Sequence, residues 1–189
     1  AETLFSSFHK IYRLGQDPDY EPLPEDSVAA MAARTGRPAL ELVYDLMLEN
    51  DGRAILYYPS FNYSYENLDH LHQLMQHANT VNSLSDGGAH CGYICDVSMP
   101  TFMLSHWTRD RRRGPLLELE HVVKRQTRDT ASVYGLLDRG LLQPGYKADV
   151  NIIDPDAVRV HCPEMVFHLP GGGRRLIHRA DGYVATLVN

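Results

Sequence analysis

The sequence predicts an α/β fold, and three observations carry that prediction. Apolar residues recur at helical spacing over Glu25–Arg34, over the segment opened by Pro38, and over Tyr65–His77. Short β-type runs at Arg53–Tyr58 and Thr80–Leu84 interleave with them, giving the order helix, strand, helix, strand. Such alternation favours parallel strands joined by crossover helices. From Asp138 onward, glycine and proline punctuate four short β-type runs, which read as an antiparallel β piece. The expected boundary lies near Leu137, dividing the chain into residues 1–137 and 138–189.

Each element has a local reason. Ala1–Pro24 is turn-rich, with Gln16-Asp17-Pro18-Asp19, Pro22 and Pro24, and is expected to be mostly loop. Glu25–Arg34 carries acids in its first turn, Val28 and Met31 on one face, and Gly36 as its stop. Pro38 suits the first turn of the next helix, because its missing N–H would have no partner there anyway. Leu40, Val43, Leu46 and Met47 give that helix an apolar face, and Asn50-Asp51-Gly52 ends it. Arg53–Tyr58 is expected to be a short buried strand closed by Pro59, and Tyr65–His77 turns Leu68, Leu71 and Met75 inward. Gly87–Pro115 reads as one long connection, a length usually tied to function or mobility. Leu116–Leu137 returns to helix in two pieces. The β-type runs follow at Ala148–Ile153, Val158–His161, Arg175–His178 and Tyr183–Val188.

Composition narrows the function. With 189 residues, 43 % of them hydrophobic, the chain is long enough for one sizeable core. A net charge of −6 and a pI near 5.9 exclude a broad electrostatic footprint for nucleic acid or anionic membrane. No apolar run approaches the roughly 20 residues that span a bilayer, and Ala1–Lys10 does not read as a signal peptide. The three cysteines, Cys91, Cys95 and Cys162, cannot all pair, which points to a reducing compartment such as the cytoplasm. The sequence opens without Met and stops after a strand-like run, and it is expected to be a piece of a longer chain.

The densest chemical signal is Ser85-Asp86-Gly87-Gly88-Ala89-His90, arriving straight off the run Thr80–Leu84. A carboxylate at a strand's end can ligate a divalent metal or move a proton; read from local spacing alone, Asp86 caps the turn that follows. His70-x-His72 imitates a metal pair, but it lies in a helix, where residues two apart diverge by about 200°. His90-Cys91-x-x-x-Cys95 has zinc-ligand types without a second ligand pair, so it reads better as a pocket loop with buried thiols. His90, four residues past Asp86, is a candidate substrate contact, as is Tyr63 beyond the first strand, whose default reading is a packed aromatic. Arg109, in the basic run Arg109–Arg113, offers a fork suited to a substrate carboxylate. His161, His168 and His178 are expected to be surface or packing residues.

Taken with Asp138–Asp154, whose Gly140, Pro144-Gly145 and Ala148-Asp149 mark the entry to a β piece, Ser85–His90 resembles the closing part of a metal-dependent amidohydrolase. Tyr20-Glu21-Pro22, Asp96–Thr101 and Trp107–Gly114 extend that resemblance to the N-acyl-D-amino-acid deacylase (D-aminoacylase) branch. It implies the C-terminal part of a (β/α)8 TIM barrel, followed by strands of a small β-sandwich. It implies zinc as cofactor, with Asp86 as catalytic acid/base and metal ligand at the mouth of the last barrel strand. It also implies an N-acyl amino acid as the small-molecule substrate. The family's other metal ligands are not found in the sequence, so the chain alone is expected to be inactive. Association with the rest of the barrel, or with a second copy, is expected through exposed strand edges. The alternatives are another amide or cyclic-imide hydrolase of the same superfamily, or a non-catalytic self-associating α/β module.

Overall fold

In the computed structural model, which describes residues 7–82, 85–88 and 91–188, the first long helix starts where its cap is best. The Ser27 hydroxyl accepts the amide of Ala30 at 3.2 Å, opening α1 (Val28–Thr35). Gly36 ends it with a left-handed φ of 66°, as its sequence position predicts. Then α2 (Ala39–Gly52) begins after Pro38, which caps it rather than filling its first turn. Regular helical torsions stop at Glu49, and Asn50 and Asp51 turn left-handed, so Asn50-Asp51-Gly52 does break the helix.

Contacts divide the chain into two compact units, one ending at His70 and the other beginning at Leu71. In the first, Ile11, Val28, Leu42, Val43 and Leu46 form the core, with Phe8, Met31 and Leu56 against it. The predicted α2 face is therefore rotated: Leu40 is 61 % and Met47 47 % exposed, because α1 covers the side that carries Leu42, Val43 and Leu46. The sequence read residues 1–24 as mostly loop, but Tyr12–Leu14 is strand β1, paired antiparallel with β2 (Ile55–Tyr57). A three-residue strand is too short to show periodicity.

Helix α3 (Asp69–Gln76) carries both His70 and His72, as predicted. The stretch Gly87–Pro115 is not loop throughout: it holds α4 (Met99–Ser105), which widens into a π-type turn at His106–Asp110. Next, α5 (Leu119–Lys124) passes through a similar turn at Arg125–Asp129 into α6 (Thr130–Val133). Leu104, Trp107, Leu117, Val122 and Ala131 are buried in this unit. Trp107, 2 % exposed, sits under the Arg111 guanidinium at 4.9 Å.

The C-terminal strands pair by nesting. β3 (Val150–Ile153) pairs with β8 (Tyr183–Leu187), β4 (Arg159–Val160) with β7 (Ala180–Asp181), and β5 (Glu164–Leu169) with β6 (Gly173–Ile177). The three pairs are one long antiparallel ribbon, interrupted twice and turned at Pro170–Gly172, where Gly171 and Gly172 have φ of 72° and 73°. β5 was missing from the predicted runs.

Every strand pair among the described residues is antiparallel, so the parallel neighbours that the alternation predicted are not formed. Thr80–Asn82 is not strand: side chains of Arg125 and Thr130 take the carbonyls of Thr80 and Asn82 that a sheet partner would have used. Leu84 and Ser83 lie outside the described residues. The architecture is a mixed α/β one with small antiparallel sheets. Among the described residues no helix is long and apolar enough to cross a membrane.

Candidate functional site

Asp86 lies on an irregular segment held by two hydrogen bonds beside it. The amide of Asp96 donates to the Asp86 carbonyl at 2.9 Å, and the Ser85 hydroxyl donates to the Val97 carbonyl at 2.6 Å. These two bonds draw together the strands of chain entering and leaving the loop. Gly87 is required at this neck, because a Cβ there would stand 2.8 Å from the Val97 Cβ. The Asp86 residue itself is exposed, and Asp96 is half-buried. Burial, and then the nearby Asp86 charge, hold the Asp96 carboxyl above the usual carboxylate range. His90 lies outside the described residues.

Beyond the neck, the Cys91 carbonyl accepts the amide of Leu176 on β6 at 2.8 Å, tying the loop to the β5–β6 hairpin. Cys91, Cys95 and Cys162 are all free and half-buried. Burial, then Asp96, Cys91 and Cys162, push the Cys95 thiol up to about 11.

Tyr63 belongs to the unit ending at His70. Its side chain is 5 % exposed and its hydroxyl donates to the Pro22 carbonyl at 2.6 Å. Beside it, the carboxylate of Glu21, 2 % exposed, accepts the Leu68 amide at 2.9 Å. Sequence reasoning attached no individual role to Glu21 or Asp96; the signals were an acid next to proline in a turn-rich segment and the place of the two residues in Tyr20-Glu21-Pro22 and Asp96–Thr101, which carry the resemblance.

Arg109 belongs to the other unit, and its guanidinium is engaged on every side. It pairs with the neighbouring Asp110 at 2.7 Å, and it donates to the carbonyls of Pro155, of Asp156 at 3.1 Å and of Val158 at 2.8 Å. The two helical histidines part company, as the spacing requires. His70 meets the edge of Tyr65, while His72 lies 3.2 Å from the Leu116 carbonyl and stacks on Trp107. Two open recesses, of about 270 and 350 Å³, are lined by residues 141–144 and 146–148 and by Arg37 with the Leu40–Asp45 face of α2; neither includes Asp86, Tyr63 or Arg109.

Among the described residues no group of three or more His, Cys, Asp or Glu side chains is placed to hold a metal ion. The described residues alone therefore do not fit a zinc site, which needs three protein donors and an open position for hydrolytic chemistry.

The family model described as "Amidohydrolase family" matches residues 10–188. The chain belongs to the amidohydrolase family, whose members hydrolyse C–N bonds and are generally metal-dependent. No curated protein and no solved structure matches it.

Proposed function

We propose that this chain supplies the Asp86 end of an amidohydrolase site that cleaves the amide of N-acyl-D-amino acids, releasing a D-amino acid and a carboxylate. The observation that carries this reading is the family match across residues 10–188, together with the Ser85–His90 segment inside it. In this reading residues 1–137 are the closing part of a (β/α)8 barrel, and residues 138–189 contribute strands to a β-sandwich.

Asp86 is the proton carrier. Its exposed carboxylate, set at the neck by Ser85 and Asp96, accepts a proton and delivers it to the departing nitrogen. Protonation is what makes the amine a competent leaving group, and such transfers are worth about 10²–10⁴ in rate. Zinc is the proposed cofactor; its chemistry, when bound, is to acidify a water and polarise the carbonyl. Donors other than Asp86 come from outside the described residues. His90, Tyr63 and Arg109 are the proposed substrate contacts; Tyr63 and Arg109 exchange their present carbonyl and carboxylate partners to serve. The working place proposed is the cytoplasm, and the partners are a second copy or the remainder of the barrel.

The test uses the full-length protein that contains this chain. Steady-state hydrolysis of paired N-acyl-D- and N-acyl-L-amino acids, with zinc content measured, should show D-selective, zinc-dependent turnover. Asp86→Asn should lower kcat by about 10²–10⁴; unchanged hydrolysis refutes the role of Asp86. Turnover of cyclic imides alone would transfer the assignment to that branch of the superfamily.

A further inference from the structure

The loop beyond Asp86 turns the Cys91 side chain back toward the residue that precedes Cys95. The Cys91 Sγ lies 3.3 Å from the carbonyl oxygen of Ile94, the peptide group that carries the Cys95 nitrogen. The fold-back is held from outside as well as within. Cys91 donates its amide to Gly88 at 3.0 Å and accepts that of Leu176 at 2.8 Å. Gly92 faces the hairpin, where an added Cβ would meet the Met165 Cε at 3.8 Å, an ordinary contact. Both sulfurs are half-buried and unpaired by any disulfide. The third cysteine, Cys162, stands two residues before β5, the strand that opens the same hairpin.

The geometry points to Cys91 and Cys95 as a redox-active dithiol that closes to an intraloop disulfide on meeting a small-molecule disulfide such as glutathione disulfide. The metal alternative is weaker, because no three donors among the described residues are placed for an ion. This inference stands apart from the catalytic reading of Asp86.

The order of events follows from the thiols. With the Cys95 thiol pushed up to about 11, it is protonated at neutral pH and is not the attacking group. Cys91, as its thiolate, attacks one sulfur of glutathione disulfide. A Cys91–glutathione mixed disulfide forms, and one glutathione thiolate leaves with the proton Cys91 gave up. Cys95 then loses its proton and attacks the Cys91 sulfur, expelling the second glutathione, which takes that proton. In balance, two cysteine thiols are oxidised and one glutathione disulfide is reduced to two glutathiones. Re-reduction that expels Cys95 is slow, because a thiol of high pKa is a poor leaving group. The cross-link would stiffen the chain immediately before Asp96, whose amide holds the Asp86 carbonyl.

Trypsin separates the possibilities. Cleavage after Arg53 and Arg109 leaves Cys91 and Cys95 on one peptide, and cleavage after Arg159 and Arg174 leaves Cys162 on another. The protein is equilibrated in glutathione redox buffers, acid-quenched, labelled with N-ethylmaleimide and mapped by mass. The expected result in oxidising buffer is loss of both labels from the 54–109 peptide, which becomes lighter by two hydrogens, while the 160–174 peptide stays labelled. Cys162→Ser should behave identically, and Cys91→Ser should leave Cys95 as a free, slowly labelled thiol. Full labelling of Cys91 and Cys95 in oxidising buffer overturns the proposal, as does a cross-link joining the two peptides. Should Cys91→Ser unfold by circular dichroism, the maps of the wild type and Cys162→Ser still decide.

Discussion

The amide of Asp96 reaches the carbonyl of Asp86 at 2.9 Å, so two acidic residues ten positions apart share one backbone hydrogen bond. With Ser85 bonded to Val97 alongside, the candidate catalytic residue is held by the loop's own closure rather than by a sheet. Loops with their ends pinned in this way are frequent carriers of function. The cost of such closeness is a carboxyl on Asp96 that resists ionisation, since burial and the Asp86 charge both disfavour a second anion.

The neck should fail in a specific way when its one tight approach is filled. Gly87→Ala places a Cβ 2.8 Å from that of Val97, closer than carbon atoms pack. The expected destabilisation is about 1–3 kcal/mol, the usual range for forcing an extra group into packed space. Val97→Ala alone retains the offending Cβ, so the double variant should recover little; Val97→Gly should recover most of the loss. Urea unfolding of the wild type, the three single variants and the two double variants measures this as two double-mutant cycles.

Arg109 offers a clean contrast between structure and substrate binding. Its donors reach the carbonyls of Asp156 and Val158 at 3.1 and 2.8 Å, and it pairs with Asp110 at 2.7 Å. Lysine has no planar fork to replace these bonds. Arg109→Lys should therefore lose about 1–3 kcal/mol by denaturant unfolding, as expected for losing charge-assisted bonds to carbonyls. The proposed substrate contact adds a second readout: KM for the N-acyl amino acid should rise alongside the loss of stability, and an unchanged KM removes Arg109 from the substrate site.

The sequence made local structure legible wherever a single residue type decides it. Gly36 and Asn50-Asp51-Gly52 end helices as read, since left-handed torsions favour glycine and asparagine. His70 and His72 diverge because helical spacing forces it. What was not legible depends on distant partners. The carbonyls of Thr80 and Asn82 were claimed by Arg125 and Thr130, some 45 and 48 residues away, and no local pattern announces that. β1 and β5 likewise exist through their partners, β2 and β6. At the candidate site, Asp86 stood out by its glycines, whereas Asp96 and Glu21 acquire meaning only from what folding brings beside them.

Glu21 should prove to be a structural acceptor. Its carboxylate, 2 % exposed, takes the amide of buried Leu68 at 2.9 Å. Glu21→Ala leaves that amide without its acceptor, and the expected loss is about 1–3 kcal/mol. Glu21→Gln keeps an acceptor oxygen and should lose less. Beside it, Tyr63→Phe removes the donor to Pro22 and should cost about 1 kcal/mol. Thermal or denaturant unfolding of the three variants ranks them; equal losses for Ala and Gln would mean that the charge, not the acceptor, is what matters.

The C-terminal ribbon should weaken on mild acidification. His178 is held below the usual imidazole value, mainly by burial and opposed by its bond to the His161 carbonyl, with the His161 ring nearby. Around it, Arg159 and His161 pair with Asp181 at 2.8 and 2.9 Å, and Arg179 pairs with Glu164 at 2.9 Å. A depressed folded-state value means that the unfolded chain takes up a proton first as pH falls below about 6.5. The contribution of His178 is therefore intact above that pH and is lost as pH falls through the lower, folded value. Asp181 is held below the usual carboxylate range by Arg159 and then His161, so its contribution disappears only in a more acidic window. Denaturant midpoints measured from about pH 8 to 5 should decline in the wild type and decline less in His178→Gln. Parallel profiles for the two proteins would assign the slope to another group on the ribbon.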